Sequence, residues 1–222
     1  TTEIYTLSLH DALPISFKKL FRRRSRNMEI TPKLSVTEDK IRLLTVKTDM
    51  FKTACLTLNV LVPMGEYAAE YAVLSSYLVH SSKKYDSLIK LNSRLEELYG
   101  ALLSGSISRH GENYRIQLSI TCIDDSLTFD GKSVTGASLE LLLSLLTKPS
   151  ADENGFSPEQ LSTEIRLTAE DIESEINDKR SYAMTRMLET MCADEIYGLT
   201  KNEILENVKK VTPQSLDRKS VV

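Results

Sequence analysis

The sequence predicts an α+β domain: an antiparallel sheet with helices packed on one face. Two observations on strands point there. Tyr114, Ile116, Leu118, Ile120 and Cys122 alternate with Arg115, Gln117, Ser119 and Thr121, and Ala54, Leu56, Leu58 and Val60 do the same. A third is that leucine and isoleucine recur at helical spacing in the segments between and after these strands.

Ile41–Val46 (IRLLTV) opens the strand set as a short β-type run. Lys52–Pro63 (KTACLTLNVLVP) is a half-buried strand ended by Pro63. Tyr67, Tyr71, Leu74 and Leu78 then mark a helix over Glu66–His80. A better-formed helix runs from Asp86 to Tyr99. Asp86 is positioned to cap it, Leu88, Leu91, Leu95 and Leu98 form its stripe, and Gly100 supplies the left-handed residue after it. Ala101–Ser108 and Tyr114–Ile123 form a hairpin about a turn at residues 110–113. Ser138–Leu146 is a leucine-dense helix that can extend back toward Val134. After a polar loop at 151–156, Ser157 caps a long helix with Pro158 in its first turn. Ile165, Ala169, Ile172 and Ile176 carry its apolar face. Lys179–Cys192 continues as helix. A last helix spans Thr200–Lys210, ahead of Thr212-Pro213.

Both ends of the chain read as foreign to this pattern. Residues 1–16 (TTEIYTLSLHDALPIS) match, codon for codon, the translation of a common sequencing adapter, and residues 217–222 (DRKSVV) match its reverse complement. Such segments are set aside from fold reasoning. Residues 17–27 (FKKLFRRRSRN) read as translated leader, because Arg-Arg can be encoded by a ribosome-binding sequence a few codons before Met28. The expected native domain is therefore residues 28–216. Within it the net charge moves from −3 for the whole chain to about −8. An acidic body argues against nucleic acid as the main partner. No apolar run reaches the roughly 18 residues of a membrane span. Cys55, Cys122 and Cys192 are odd in number and lack metal-site spacing. They read as small buried hydrophobes of a reducing, cytoplasmic compartment.

Three segments carry a resemblance: LEELYGALLSGSISRHGENYRIQLSI (95–120), FSPEQLSTEIRLTAEDIESEINDKRSYAMTRMLETMC (156–192) and VTPQSL (211–216). Leu-Tyr-Gly-Ala at a helix end entering a hairpin, and Phe-Ser-Pro-Glu-Gln-Leu opening a Glu-rich helix, resemble the insulinase/pitrilysin-type (inverzincin) peptidases. More narrowly, the chain is similar to a non-catalytic bacterial branch associated with aminopentanol modification of elongation factor P. The resemblance covers about Lys33–Leu216. It implies the N-terminal half of a two-half protein, with the metallohydrolase fold shared by mitochondrial processing peptidase and LuxS.

Active members of that family carry His-x-x-Glu-His on the first helix and a third zinc ligand, a Glu, on the later long helix. Anchored on Ser82-Lys83-Lys84-Tyr85, which stands where the family has a Gly-Thr turn, the three motif positions fall on Val73, Ser76 and Tyr77. None is a credible zinc ligand. His80 lies three residues beyond and is expected on a different helix face, as a helix-end histidine. Glu170 and Asp171 fall where the third ligand would come and read as an acidic surface, together with Glu173 and Glu175. His110 reads as a surface residue of the hairpin turn.

No phosphate loop, nucleophile elbow or CxxC pair is present. The resemblance therefore implies a non-catalytic partner subunit, without a cofactor, that pairs with a zinc-bearing homologue and helps hold a peptide or protein substrate. The alternative is a zinc metalloendopeptidase with displaced ligands, drawn from His80, Glu170 and Asp171. A third reading is a binding module in elongation-factor modification that reuses the fold as a scaffold.

Overall fold

The hairpin that is plainest in the sequence is the spine of the sheet. In the computed structural model, which describes residues 2–8, 31–37, 41–48, 50–80, 82–152 and 155–220, strand β5 (Leu102–His110) turns through Gly111-Glu112 into β6 (Asn113–Ile123). Gly111 has φ +58°, a left-handed value that favours glycine. Preceding them are β1 (Thr2–Ser8), β2 (Thr31–Val36), β3 (Arg42–Thr48) and β4 (Thr53–Pro63). The sheet order is β2-β3-β1-β4-β6-β5. All its pairings are antiparallel except β1 with β4.

β4 and β6 pair along their whole length, so Leu56 meets Ile120, Leu58 meets Leu118 and Val60 meets Ile116. These six side chains are buried. Each fully buried aliphatic of this kind contributes about 1.5–3 kcal/mol. Helix α1 (Ala68–Leu78) packs on β5 and β6, and α3 (Val134–Thr147) on β4 and β6. Between them, α2 (Leu88–Glu97) leads into β5. A two-strand ladder, β7 (Ala151–Asp152) with β8 (Gly155–Phe156), replaces the expected polar loop and delivers Phe156 into the core. Then follow α4 (Pro158–Ser174), α5 (Lys179–Met191), α6 (Lys201–Val208) and α7 (Pro213–Ser220). The architecture is the α+β class the pattern predicts.

Several local expectations shift by a residue or a face. Ser87, not Asp86, caps α2 by accepting from the Lys90 N–H, while Asp86 pairs with the Lys90 ammonium at 2.9 Å. Both residues are cap formers, and only the chain direction decides between them. Tyr99 as well as Gly100 is left-handed after α2, with φ of 60° and 72°. The Tyr99 hydroxyl donates to Asp130 Oδ1 and accepts from the Phe129 N–H, which helps hold this unfavourable conformation. Ser157 precedes α4 but makes no side-chain cap bond. The long helix breaks at a 3-10 turn, Glu175–Asn177, and Asp178 caps α5 through the N–H groups of Arg180 and Ser181. Ile176, expected on the apolar face, is instead exposed.

Two segments set aside on sequence grounds take part in these elements. Thr2–Ser8 lies between β3 and β4, and residues 217–220 continue α7. A strand is accepted on its backbone hydrogen bonds, and these do not depend on where its codons came from. The expected leader, residues 17–27, lies outside the described residues.

Candidate functional site

Helix α1 is apolar almost all round: Ala68, Ala69, Ala72, Val73, Leu74, Tyr77 and Leu78 are all buried. A helix of this kind belongs in the interior, and α1 is indeed enclosed by β5, β6, α4, α6 and α7. β5 runs close against it: a Cβ on Gly105 would stand 2.4 Å from the Ser75 carbonyl oxygen. Val73 and Tyr77, two of the positions expected to correspond to the zinc motif, have no exposed surface. Tyr77 meets Phe156 edge-on, with ring centroids 4.8 Å apart, and its hydroxyl donates to the Ser150 carbonyl at 2.9 Å. These two side chains pack the core.

Ser76 of α1 and His80, two residues past its last residue, both bond Glu164 of the long helix α4. Glu164 of α4 is only 3% exposed. Its carboxylate takes the Ser76 hydroxyl on Oε2 at 2.7 Å and His80 Nδ1 at 2.7 and 2.8 Å on its two oxygens. An ionised carboxylate only accepts, so Nδ1 carries the proton. The hydrogen bond it donates to Glu164 raises the His80 pKa above its ordinary 6.5, against the opposing effect of burial. The two helices are thus joined by a charge-assisted hydrogen bond.

The expected third-ligand positions do not reach this point. Glu170 pairs with Arg166 at 2.6 Å on the surface. Asp171 shares a face with Glu164 but stands seven residues on, about 10 Å along the axis. The remaining acidic residues of that expected patch are also engaged: Glu175 with Lys201 at 2.6 Å and Glu173 with Lys209 at 3.8 Å. His110 sits exposed at the end of β5, opposite Asn113. Glu164 was the residue the sequence reading passed over. Its only signal was position, with Leu161 and Thr168 on the same buried face.

The chemistry open to this trio is narrow. Among the described residues no group of three or more His, Cys, Asp or Glu side chains converges. His80 and Glu164 are two donors, and the next side chain is the Ser76 hydroxyl, a poor zinc ligand. A serine nucleophile needs its hydroxyl on the imidazole, with the acid behind it. Here the hydroxyl donates to the carboxylate instead, so the imidazole is not the group that takes its proton. Cys122 is buried and its thiol pKa is pushed up by burial, which keeps it protonated. Among the described residues no helix is long and apolar enough to cross a membrane.

No family model matches the chain. Among curated proteins it is 27% identical over 172 residues to the protein named "Probable inactive metalloprotease YmfF" of Bacillus subtilis (strain 168). That alignment covers 77% of this chain and 40% of that protein. Among solved structures it is similar to a conserved protein from Enterococcus faecalis V583, with a TM-score of 0.69 and 23% identity, over 78% of this chain and 41% of the other. The chain therefore spans about two fifths of the length of either. The structural likeness shows the fold. The sequence likeness makes this chain similar, over most of its length, to a protein whose name describes an inactive metalloprotease.

Proposed function

We propose that the chain is a non-catalytic insulinase-type peptidase homologue, a cytoplasmic partner subunit that pairs with a zinc-bearing homologue and helps form a peptide-binding chamber. The observation that carries this reading is the fate of Glu164. It is the one acidic side chain of α4 buried against α1, and it is spent on Ser76 and His80. Judged by the face that meets Glu164, the His-x-x-Glu-His spacing falls on Ser76, Val79 and His80. A hydroxyl then replaces one metal-binding nitrogen, and an aliphatic side chain replaces the water-activating carboxylate. Similarity to a protein named as an inactive metalloprotease supports the same reading.

The sheet supports the substrate-holding part of this reading. Among the described residues β5 pairs only with β6, so its outer edge can take an extended peptide by strand addition. Work on elongation factor P modification is part of this proposal, on the strength of the resemblance alone.

The test is metal content and chelator-sensitive peptide cleavage, with and without a zinc-bearing homologue. A partner subunit binds no stoichiometric zinc alone and changes cleavage only when the homologue is present. A second reading, a zinc metalloendopeptidase with displaced ligands, draws on the proximity of His80 and Glu164. It requires stoichiometric zinc that disappears in His80→Ala, together with cleavage by the isolated chain.

A further inference from the structure

A cavity of about 350 Å³ opens between α2, α3 and the loop that follows α1. That is room for one small molecule, at the low end of ligand sites. Two of its lining residues are buried: Leu141, and Ser82, which has no exposed surface. Its rim is basic, with Lys83, Lys84 and Lys148 exposed around it and Arg94 of α2 half-buried in its wall.

Backbone bonds hold these charges together. Lys83 donates its N–H to the Lys148 carbonyl at 2.9 Å, where α3 ends. Ser82 donates its N–H to the Tyr85 carbonyl at 2.9 Å, and Tyr85 returns its own to the Ser82 hydroxyl at 3.1 Å. The Lys84 ammonium lies 5.3 Å from the centroid of the Tyr85 ring, a cation–π contact that keeps it at the rim.

Like charges gathered this way repel unless carboxylates stand between them. Here the local charges do not balance. Arg94 Nη1 is taken up by Glu97 at 2.8 Å. Among the described residues none of the three lysines forms an ion pair. Glu140 carries the one carboxylate of the lining, and it also has no ion-pair partner among the described residues. Three ammonium groups against one carboxylate leave two positive charges unmatched, on a native part whose net charge is about −8.

We propose that this cavity binds the phosphate group of a small phosphate monoester. Such a group carries about −1.5 to −2 charge at pH 7 and three strong acceptor oxygens. It matches both the unmatched charge and the ammonium donors of the rim. The Tyr85 ring and Leu141 leave an apolar wall for the small organic body. A carboxylate ligand would supply one charge where two are missing. The site shares no residue with the Ser76–Glu164–His80 cluster, and the inference goes beyond the partner-subunit reading.

Isothermal titration calorimetry of the 222-residue chain with phenyl phosphate, at neutral pH and low salt, tests this. One site per chain is expected, with benzoate, a singly charged analogue, at least about tenfold weaker. Amide shifts in the NMR spectrum should place phenyl phosphate at residues 82–85 and 148. Lys83→Gln combined with Lys148→Gln should weaken binding at least about tenfold. Glu140→Gln removes the opposing charge and should tighten it about threefold. The substituted side chains are exposed, so circular dichroism should be unchanged and separates a lost site from a lost fold. Absence of saturable binding overturns the proposal. So does equal affinity for benzoate, or binding that survives the double lysine variant. A phosphoserine peptide that binds at least about tenfold tighter than phenyl phosphate overturns it too, by making the cavity a protein-docking site.

Discussion

Replacing His80 by alanine removes the imidazole that joins α1 to α4, and its cost can be worked from the geometry. The lost interaction is a hydrogen bond to a charged group, worth about 1.5–3 kcal/mol. Glu164 would be left with Ser76 as its partner while only 3% exposed. Breaking a fully buried pair costs about 3–5 kcal/mol. The His80 side chain is 32% exposed, however, so water can enter the space it vacates and solvate the carboxylate. The lower figure governs, and we expect about 2 kcal/mol at slightly acidic pH. In a chain of this size that lowers the melting temperature by about 4–8 °C.

The same cost should depend on pH, with a definite sign. The His80 pKa is raised in the folded chain, first by its hydrogen bond to Glu164. Its contribution is therefore complete below the unfolded-state value near 6.5 and is lost as pH rises through the higher folded-state value. Above that value the imidazole is neutral and keeps an N–H bond to the carboxylate without the attraction between opposite charges. The penalty of His80→Ala should shrink to about 1 kcal/mol there. Urea unfolding of the wild type and His80→Ala at about pH 6 and about pH 9 measures both numbers. Glu164→Gln, alone and combined with His80→Ala, closes the cycle. Equal penalties at the two pH values, or strict additivity in the cycle, would refute the pairing.

Other perturbations test the surroundings. Gly105→Ala forces a Cβ into the Ser75 carbonyl, 2.4 Å away, and should cost about 1–3 kcal/mol by pushing β5 off α1, seen as a lower urea midpoint. Arg109 donates to the carbonyls of Tyr197 and Leu199 at 2.7 Å each and lies over the Tyr197 ring. Arg109→Lys loses that fork, and we expect a loss of about 1–2 kcal/mol with faster amide exchange around residues 196–200. Tyr77→Phe deletes the hydroxyl's bond to the Ser150 carbonyl and should lower stability by about 1 kcal/mol while leaving the pH dependence due to His80 intact.

What the sequence made legible follows from which forces act locally. The β5–β6 hairpin was plain because a half-buried strand forces its side chains to alternate, and Gly111 marks the turn. The α3 helix was plain from its leucines, though its start belongs to Ser133, which bonds the Gly136 N–H. The site was not plain. Glu164 is one glutamate among several on an acidic helix, and only the approach of α1 tells it from Glu170 or Asp171. The face that meets Glu164 was not plain for a related reason. Val73 and Tyr77 are spaced as motif residues are, but the sheet claims them for packing. The break before α5 was carried by Asn177-Asp178, a pair that reads equally as a surface dipeptide or as a helix start. A two-residue ladder such as β7–β8 is too short to leave any periodicity.

Helix α1 divides its two tasks between separate faces. Val73 and Tyr77 hold the helix in place, while Ser76 and, just past the helix end, His80 bond Glu164 of α4. Substitutions on the second face therefore leave the packing of the first untouched. A lineage could abandon chemistry at this helix without passing through a poorly folded ancestor. It would need only a side chain there that donates a hydrogen bond to the buried Glu164 carboxylate, as the Ser76 hydroxyl does.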